Sequence, residues 1–210
     1  GVEKCLTSKT KAIVAVHTYG NVCEMGGIME LAHRNKITVI EDAAEAFTSK
    51  YKGKYAGSIG EIGTFSFQAT KTITTGEGGM VVSNDKELSD RMFLYRNHGM
   101  LRKTYFWHEI AGHNFRMTNI QAALGCAQLE HLDEITKERR RVHTTYKRFL
   151  KNEAGITLQK FGTDVEPVLW AFAAKLDPKA FPQGRDAVIE QMKEKQLETR
   201  PGFYPPSVMK

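Results

Sequence analysis

The sequence predicts an α/β protein with a mainly parallel sheet covered by helices, and three observations carry that reading. Ala12–Val16 (AIVAV) is an unbroken apolar run, as expected of a strand buried on both faces. Met25–Asn35 follows, with Ile28, Met29, Leu31 and Ala32 forming the apolar stripe of a helix. Ile37–Ile40 (ITVI) is the next strand. Strand, helix and strand in that order make a βαβ unit, whose two strands lie parallel.

The remaining elements follow in order. The second strand ends on Glu41-Asp42, and Gly63–Phe67 and Gly79–Ser83 (GMVVS) are two further strands. Asn84, with Glu87 three residues on, has the form of a capping box and opens a helix to about Arg96. Thr118 with Gln121 repeats the signature for a helix through Leu132. A longer helix rich in Lys, Arg and Glu runs from Asp133 to about Leu150. Composition shifts near Asn152–Gly155. Beyond it come a strand at Val168–Phe172, a loop with Pro178 and Pro182, and a helix from about Arg185 to Lys195. Residues 1–152 are therefore expected to form a large domain with its trailing helices. Residues 153–210 are expected to start a smaller α/β domain.

Composition narrows the classes of function. A chain of 210 residues suits one large domain or one and a half smaller ones. Its 41% apolar and 26% charged residues describe a soluble globular protein. The net charge of +6 gives a mild bias toward anionic partners, yet the basic residues are dispersed. Lys137–Arg141 (KERRR) reads as the solvated face of a helix, and no nucleic-acid-binding signature is present. Cys5, Cys23 and Cys126 are odd in number and widely spaced, which favours a reducing, cytoplasmic setting. No apolar stretch is long enough to span a bilayer, so neither a membrane nor a nucleic acid is an expected partner. The chain has no initiator Met and stops after a Pro-rich turn, and it reads as a piece of a longer protein.

Several chemistries can be set aside. His108 and His113 resemble a zinc-protease pair but lie five residues apart instead of four, which turns them away from each other. Gly63–Phe67 lacks the second glycine of a nucleophile elbow. Lys71-Thr72 is not preceded by the glycines of a P-loop, and the His residues are scattered. What remains is Lys71, alone between a strand and the Gly76-Glu77-Gly78-Gly79 cluster, together with Asp42. Ligands of open α/β sheets sit at the carboxyl ends of strands. Asp42 ends one strand, and Ser66 and Lys71 lie at or just past the end of another. A lysine and an aspartate on one rim suit pyridoxal 5'-phosphate: the amine condenses with its aldehyde, and the carboxylate keeps the ring nitrogen protonated. Ser66 would offer a hydroxyl to the phosphate, and the glycines would allow a sharp turn with positive φ. Spacing alone leaves a plainer alternative open, an exposed lysine and an acid that caps a helix.

Glu41–Ala46 (EDAAEA), Phe65-Ser66-Phe67 and Lys71–Met80 (KTITTGEGGM) resemble the sugar aminotransferases of the DegT–DnrJ–StrS group, which are fold-type I pyridoxal-phosphate enzymes. The resemblance continues through Arg96–Gly99 (RNHG), Gly112–Met117 (GHNFRM), Asn119–Ala123 (NIQAA) and Gln128-Leu129, and covers roughly residues 12–150. It implies a three-layer α-β-α large domain. It also implies that Lys71 holds the cofactor and shuttles the proton, that Asp42 partners the pyridine nitrogen, and that Glu45 lies near the phenolic oxygen. Ser66 matches the phosphate-binding serine. Asn114 matches an asparagine that reaches the phosphate from the neighbouring subunit, which implies a homodimer with shared active sites. His17 begins a loop resembling the family's His-x-Tyr-Gly and is expected only to order the core or the loop.

The implied reaction moves an amino group from an amino acid, typically L-glutamate, to the keto group of a nucleotide-linked deoxysugar. Such reactions belong to deoxyaminosugar and polysaccharide biosynthesis. Glu198–Pro201 (ETRP) and Phe203-Tyr204-Pro205 resemble the tail of perosamine-synthase-like members, which aminate C4 of a 4-keto-6-deoxyhexose. Thr70 and Ser207 depart from the Asn and His that many members carry, and both departures bear on the substrate pocket. Members are about twice this length, and their opening segment supplies a Gly-Thr or Gly-Ser phosphate loop. Two rival readings stay on the same fold. Dehydratases of the group carry His in place of the lysine, and Lys71 argues against them. A non-catalytic regulatory or scaffold protein would not require Asp42, Ser66 and Lys71 together.

Overall fold

The computed structural model describes residues 1–209. In chain order its elements are β1 (Ala12–Val16), α1 (Met25–Asn35), β2 (Thr38–Asp42), β3 (Lys50–Tyr51), β4 (Lys54–Tyr55), β5 (Ile62–Ser66), β6 (Gly79–Val82) and α2 (Lys86–Arg96). There follow α3 (Asn119–Glu130), α4 (Leu132–Leu150), β7 (Ile156–Leu158), β8 (Val165–Glu166), β9 (Ala174–Leu176) and α5 (Gly184–Glu194). The chain forms two compact units. One comprises residues 1–140 with 161–170, and the other residues 141–160 with those from 171 onward. The sequence suggested a single cut after residue 152; here the 161–170 segment is grouped with the first unit.

The first unit is built on a four-stranded sheet of order β1-β2-β5-β6. β1, β2 and β5 run parallel and β6 is antiparallel to β5, so the sheet is mainly parallel as expected. Helix α1 begins at Glu24, whose carboxylate accepts from Gly27 N at 2.9 Å. It buries Met25 and Ala32 in one cluster with Ala15 and Val39, and Val22, Ala43, Ala46, Tyr51 and Ala56 complete that core. Alternation along the strands then sorts the two faces. Ala15, Val39, Glu41 and Phe65 belong to the α1 side, and Val16, Asp42, Thr64 and Ser66 to the opposite side.

That opposite side corrects one expectation. β1 is not buried on both faces: Val14 and Val16 are 59% and 51% exposed. β1 is an edge strand among the described residues, and α1 covers only the face that carries Ile13 and Ala15. Two other readings shift. The cap of α2 is Asp85, which accepts from Leu88 N at 2.9 Å, so the helix starts one residue later than Asn84 implied. Val168–Phe172 forms no strand. Val168 N donates to Ser49 Oγ at 2.8 Å instead of to a ladder, and the short strand β8 lies upstream, antiparallel to β3.

The second unit pairs β7 with β9 antiparallel, and Phe172 packs its ring on His143 and Tyr146. Arg185 in α5 donates to the Tyr204 hydroxyl at 2.8 Å.

Helix α3 opens as the sequence implied. Thr118 Oγ1 accepts from Gln121 N at 3.3 Å, and Gln121 Oε1 accepts from Thr118 N at 2.9 Å. Gln121 also donates from Nε2 to Glu77 O at 3.0 Å, so the cap and the glycine turn are joined. Replacing Thr118 with Ala should therefore cost about 1 kcal/mol in urea unfolding, and a change within experimental error would show that the cap carries no load.

Candidate active site

The site grows from the end of β2. Glu41 points into the α1 side and is fully buried. Its Oε1 accepts from Ile59 N and Gly60 N, both at 2.6 Å, and its Oε2 accepts from Gly57 N at 2.8 Å. The remaining contact is His17 Nε2 at 2.9 Å. Nδ1 of His17 lies 3.3 Å from Cys23 N and accepts from it, which assigns the imidazole proton to Nε2, facing Glu41. Burial alone would raise the Glu41 carboxyl, but His17 and the three backbone N–H groups together outweigh it and hold the group below the ordinary carboxylate value. The loop after β1 and the loop before β5 are thus fastened to one side chain.

Asp42, the next residue, falls on the other face. Its carbonyl accepts from His17 N at 3.0 Å, and its Oδ1 accepts from Ala44 N at 3.1 Å. Oδ2 takes no hydrogen bond among the described residues. In register Asp42 sits between Val16 and Thr64, and Ser66 lies two residues farther along the same face of β5. The half-buried Ser66 hydroxyl accepts from Gln68 N at 3.4 Å.

Lys71 sits in a short bend whose neighbours are anchored. Thr72 and Ile73 are buried, Lys71 N donates to Gln68 O at 2.9 Å, and Thr75 N donates to Phe67 O at 2.9 Å. Helix α3 grips the same bend through Gln128, which accepts from Thr74 N at 3.0 Å and donates to Thr74 O at 2.8 Å. Gly78 adopts φ +153°, and a Cβ there would come 2.5 Å from Thr75 Oγ1. The sharp turn after the lysine therefore requires that glycine.

The lysine amine is enclosed on two sides. Nζ stands 3.9 Å from Glu45 Oε1 and 4.3 Å from the centre of the Trp170 ring. Glu45 is itself oriented by Tyr19 N, which donates to Oε2 at 2.8 Å. Tyr19 stacks on Trp170, with centroids 6.0 Å apart and planes 13° from parallel.

The structure thus brings Lys71 and Glu45 together, and places Asp42 and Ser66 at one end of one sheet face. Asn114 lies elsewhere in the chain path, exposed and bridged antiparallel to Asn97. Sequence reasoning missed Trp170, Tyr19, Arg139 and Glu41. An acid on the inward phase of an apolar strand marks Glu41, and Tyr19 belongs to the His-x-Tyr-Gly loop, but no local pattern marks Trp170 or Arg139. A primary amine, a carboxylate with one unpaired oxygen and a hydroxyl are the donor set that pyridoxal phosphate requires, so these residues fit that group in chemistry.

The chain is similar to known proteins along almost its whole length. The family model of the DegT/DnrJ/EryC1/StrS aminotransferase family matches residues 1–210. A GDP-perosamine synthase of Escherichia coli O157:H7 is 45% identical over 208 residues, covering 99% of this chain and 56% of the relative. A GDP-perosamine synthase of Caulobacter vibrioides is 43% identical, with 99% and 56% covered. Among solved structures, the aminotransferase TlmJ of Streptoalloteichus hindustanus superposes with a TM-score of 0.91 at 25% identity, over 99% of this chain and 56% of that one. The chain therefore spans a little over half the length of the relatives it matches.

Glu41 should dominate the acid response of the fold. Its depressed folded value means that its stabilisation is complete above the ordinary carboxylate range and is lost as pH falls through that folded value. Near neutral pH, Glu41→Gln should lower stability in urea unfolding by about 3 kcal/mol. The gap to the parent should close in acid; a gap that persists there would contradict the assignment of a buried carboxylate.

Proposed function

Because the chain belongs to the DegT/DnrJ/EryC1/StrS aminotransferase family, we propose that it forms the lysine-bearing part of a pyridoxal-phosphate-dependent aminotransferase acting on a nucleotide-linked keto-deoxysugar. The observation that supports this reading is the amine of Lys71, held 3.9 Å from Glu45, just beyond the strand that carries Ser66 beside Asp42.

Each residue then has a task. Bound on this rim, pyridoxal phosphate supplies an aldehyde to carry the amino group and a ring to absorb an electron pair. Lys71 provides the amine that anchors it and the nitrogen that moves a proton to and from the substrate carbon. Asp42 Oδ2, which has no hydrogen bond among the described residues, is available to a ring N–H⁺. Glu45 orients the lysine amine from one side. Ser66 contributes a hydroxyl toward a phosphate oxygen.

The two GDP-perosamine synthase relatives support a GDP-linked 4-keto-6-deoxyhexose as the acceptor. L-glutamate is the donor we favour, by the family resemblance. The exposed position of Asn114, away from Lys71's own segment, suits a contribution to a second copy's site and hence a homodimer with shared sites. Cys5, Cys23 and Cys126 are all free thiols, which supports a cytoplasmic setting. No helix among the described residues is long and apolar enough to cross a membrane.

The test is spectroscopic and kinetic. The protein mixed with pyridoxal phosphate should develop a visible band that L-glutamate bleaches. Lys71→Ala should show no such band and no amino transfer to a GDP-linked keto-sugar. Asp42→Asn should keep the band and lose most of the turnover. A band and turnover that survive in Lys71→Ala would overturn the reading.

A further inference from the structure

Trp170 lies far beyond Lys71 in the sequence, yet the two residues are tied together through several contacts. The ring face of Trp170 lies 4.3 Å from Lys71 Nζ. Its indole Nε1 donates to Thr70 O at 2.8 Å, which fixes the tilt of the ring against the residue before the lysine. Arg139 closes the connection from α4, with Nη1 donating to Trp170 O at 2.9 Å and Nη2 donating to Lys71 O at 3.0 Å. The backbones of both residues are thereby held by a single half-buried guanidinium.

A second loop of contacts runs through the side chains. Lys71 meets Glu45, Glu45 accepts from Tyr19 N, Tyr19 stacks on Trp170, and Trp170 faces Lys71 again. The segment that carries Trp170 is located by Ser49, whose hydroxyl donates to Gly20 O and accepts from Val168 N, each at 2.8 Å. Gly20 has φ +83°, and a Cβ there would fall 1.8 Å from Val168 O, so this crossing tolerates no side chain. Every segment that frames the lysine amine is therefore fixed by a contact distant in sequence.

From this closed circuit we infer that Trp170 is a positioning residue for Lys71: its indole face, together with Glu45, holds the amine in place before any cofactor arrives. An aromatic face attracts an ammonium through its quadrupole, more strongly where water is partly excluded. Lys71 and Glu45 side chains are only 15% and 13% exposed, which meets that condition. The long, rotamer-rich lysine side chain would otherwise lose conformational entropy when it engages its target. Holding it in place beforehand removes that cost. The catalytic consequence rests on Lys71 being the cofactor lysine; the holding itself does not.

The experiment works on cofactor-free protein. Reductive methylation with formaldehyde and cyanoborohydride, read by peptide mass spectrometry, gives the labelling rate of Lys71 relative to the exposed Lys4 and Lys9. Trp170→Leu should raise the relative rate about fivefold, the release expected for a cation–π contact of ordinary strength. Trp170→Phe keeps an aromatic face and loses the indole N–H, and should stay near the parent. General loosening of the fold would raise all lysines alike and would not be rescued by Phe. Equal rates in Leu variant and parent, or equal rates in Leu and Phe variants, would overturn the inference.

A second readout does not depend on the Leu variant folding. In a Trp107→Phe background, Trp170 is the sole indole, and Lys71→Met should shift its emission by removing the charge beside the ring. Unshifted emission with unchanged circular dichroism would overturn the inference. Labelling as expected in a protein that gives no Lys71-dependent band with pyridoxal phosphate would support the positioning role and overturn the aminotransferase reading alone.

Discussion

The buried carboxylate of Glu41 is the constraint on which the rest of this site depends. Three backbone N–H groups and one imidazole converge on it inside an otherwise apolar layer. Leaving any of those donors unpaired in the interior would cost free energy, so the loops before β5 and after β1 have little freedom to move. Because side chains alternate along β2, fixing Glu41 inward also fixes Asp42 outward, on the face that carries Ser66. A single structural acid thus sets the direction of its neighbour on the rim. His17 contributes twice, with its ring to Glu41 and with its backbone N–H to the Asp42 carbonyl.

The lysine is placed by a different kind of force. No regular element carries it; it lies in a bend pinned by buried neighbours, by Gln128 of α3 and by Arg139 of α4. An aromatic face and a carboxylate then define where its amine rests. The division of labour is physical. Backbone hydrogen bonds fix Cα positions, and the cation–π and ionic contacts select among the many rotamers of a flexible side chain.

Much of this was legible in the residues themselves, because much of it is local. The apolar stripe of α1 falls within the span read from its spacing, and the Thr118–Gln121 box is a short-range exchange of hydrogen bonds. The Gly76–Gly79 cluster signalled a tight turn, and Gly76 and Gly78 do adopt positive φ. The misses are mostly long-range. Trp170 meets Thr70 across 100 positions and Arg139 meets Lys71 across 68, and no short window of sequence contains both partners. Val168 has the composition of a strand residue but its N–H is taken by Ser49, so tertiary context overrode propensity. The apolar run of β1 promised two buried faces, yet α1 covers only one of them. At the start of α2 two adjacent residues could each cap a helix, and Asp85 takes the role from Asn84 because its carboxylate reaches Leu88 N.

The proposed function makes one amine, that of the part-buried Lys71, the attachment point for pyridoxal phosphate in preference to the many exposed lysines of this chain. Borohydride trapping of the loaded protein, followed by peptide mass spectrometry, puts that assignment to its most direct test. A single phosphopyridoxyl group on the peptide that contains Lys71 is the expected result. Groups spread instead among the exposed lysines, with Lys71 unmodified, would contradict it.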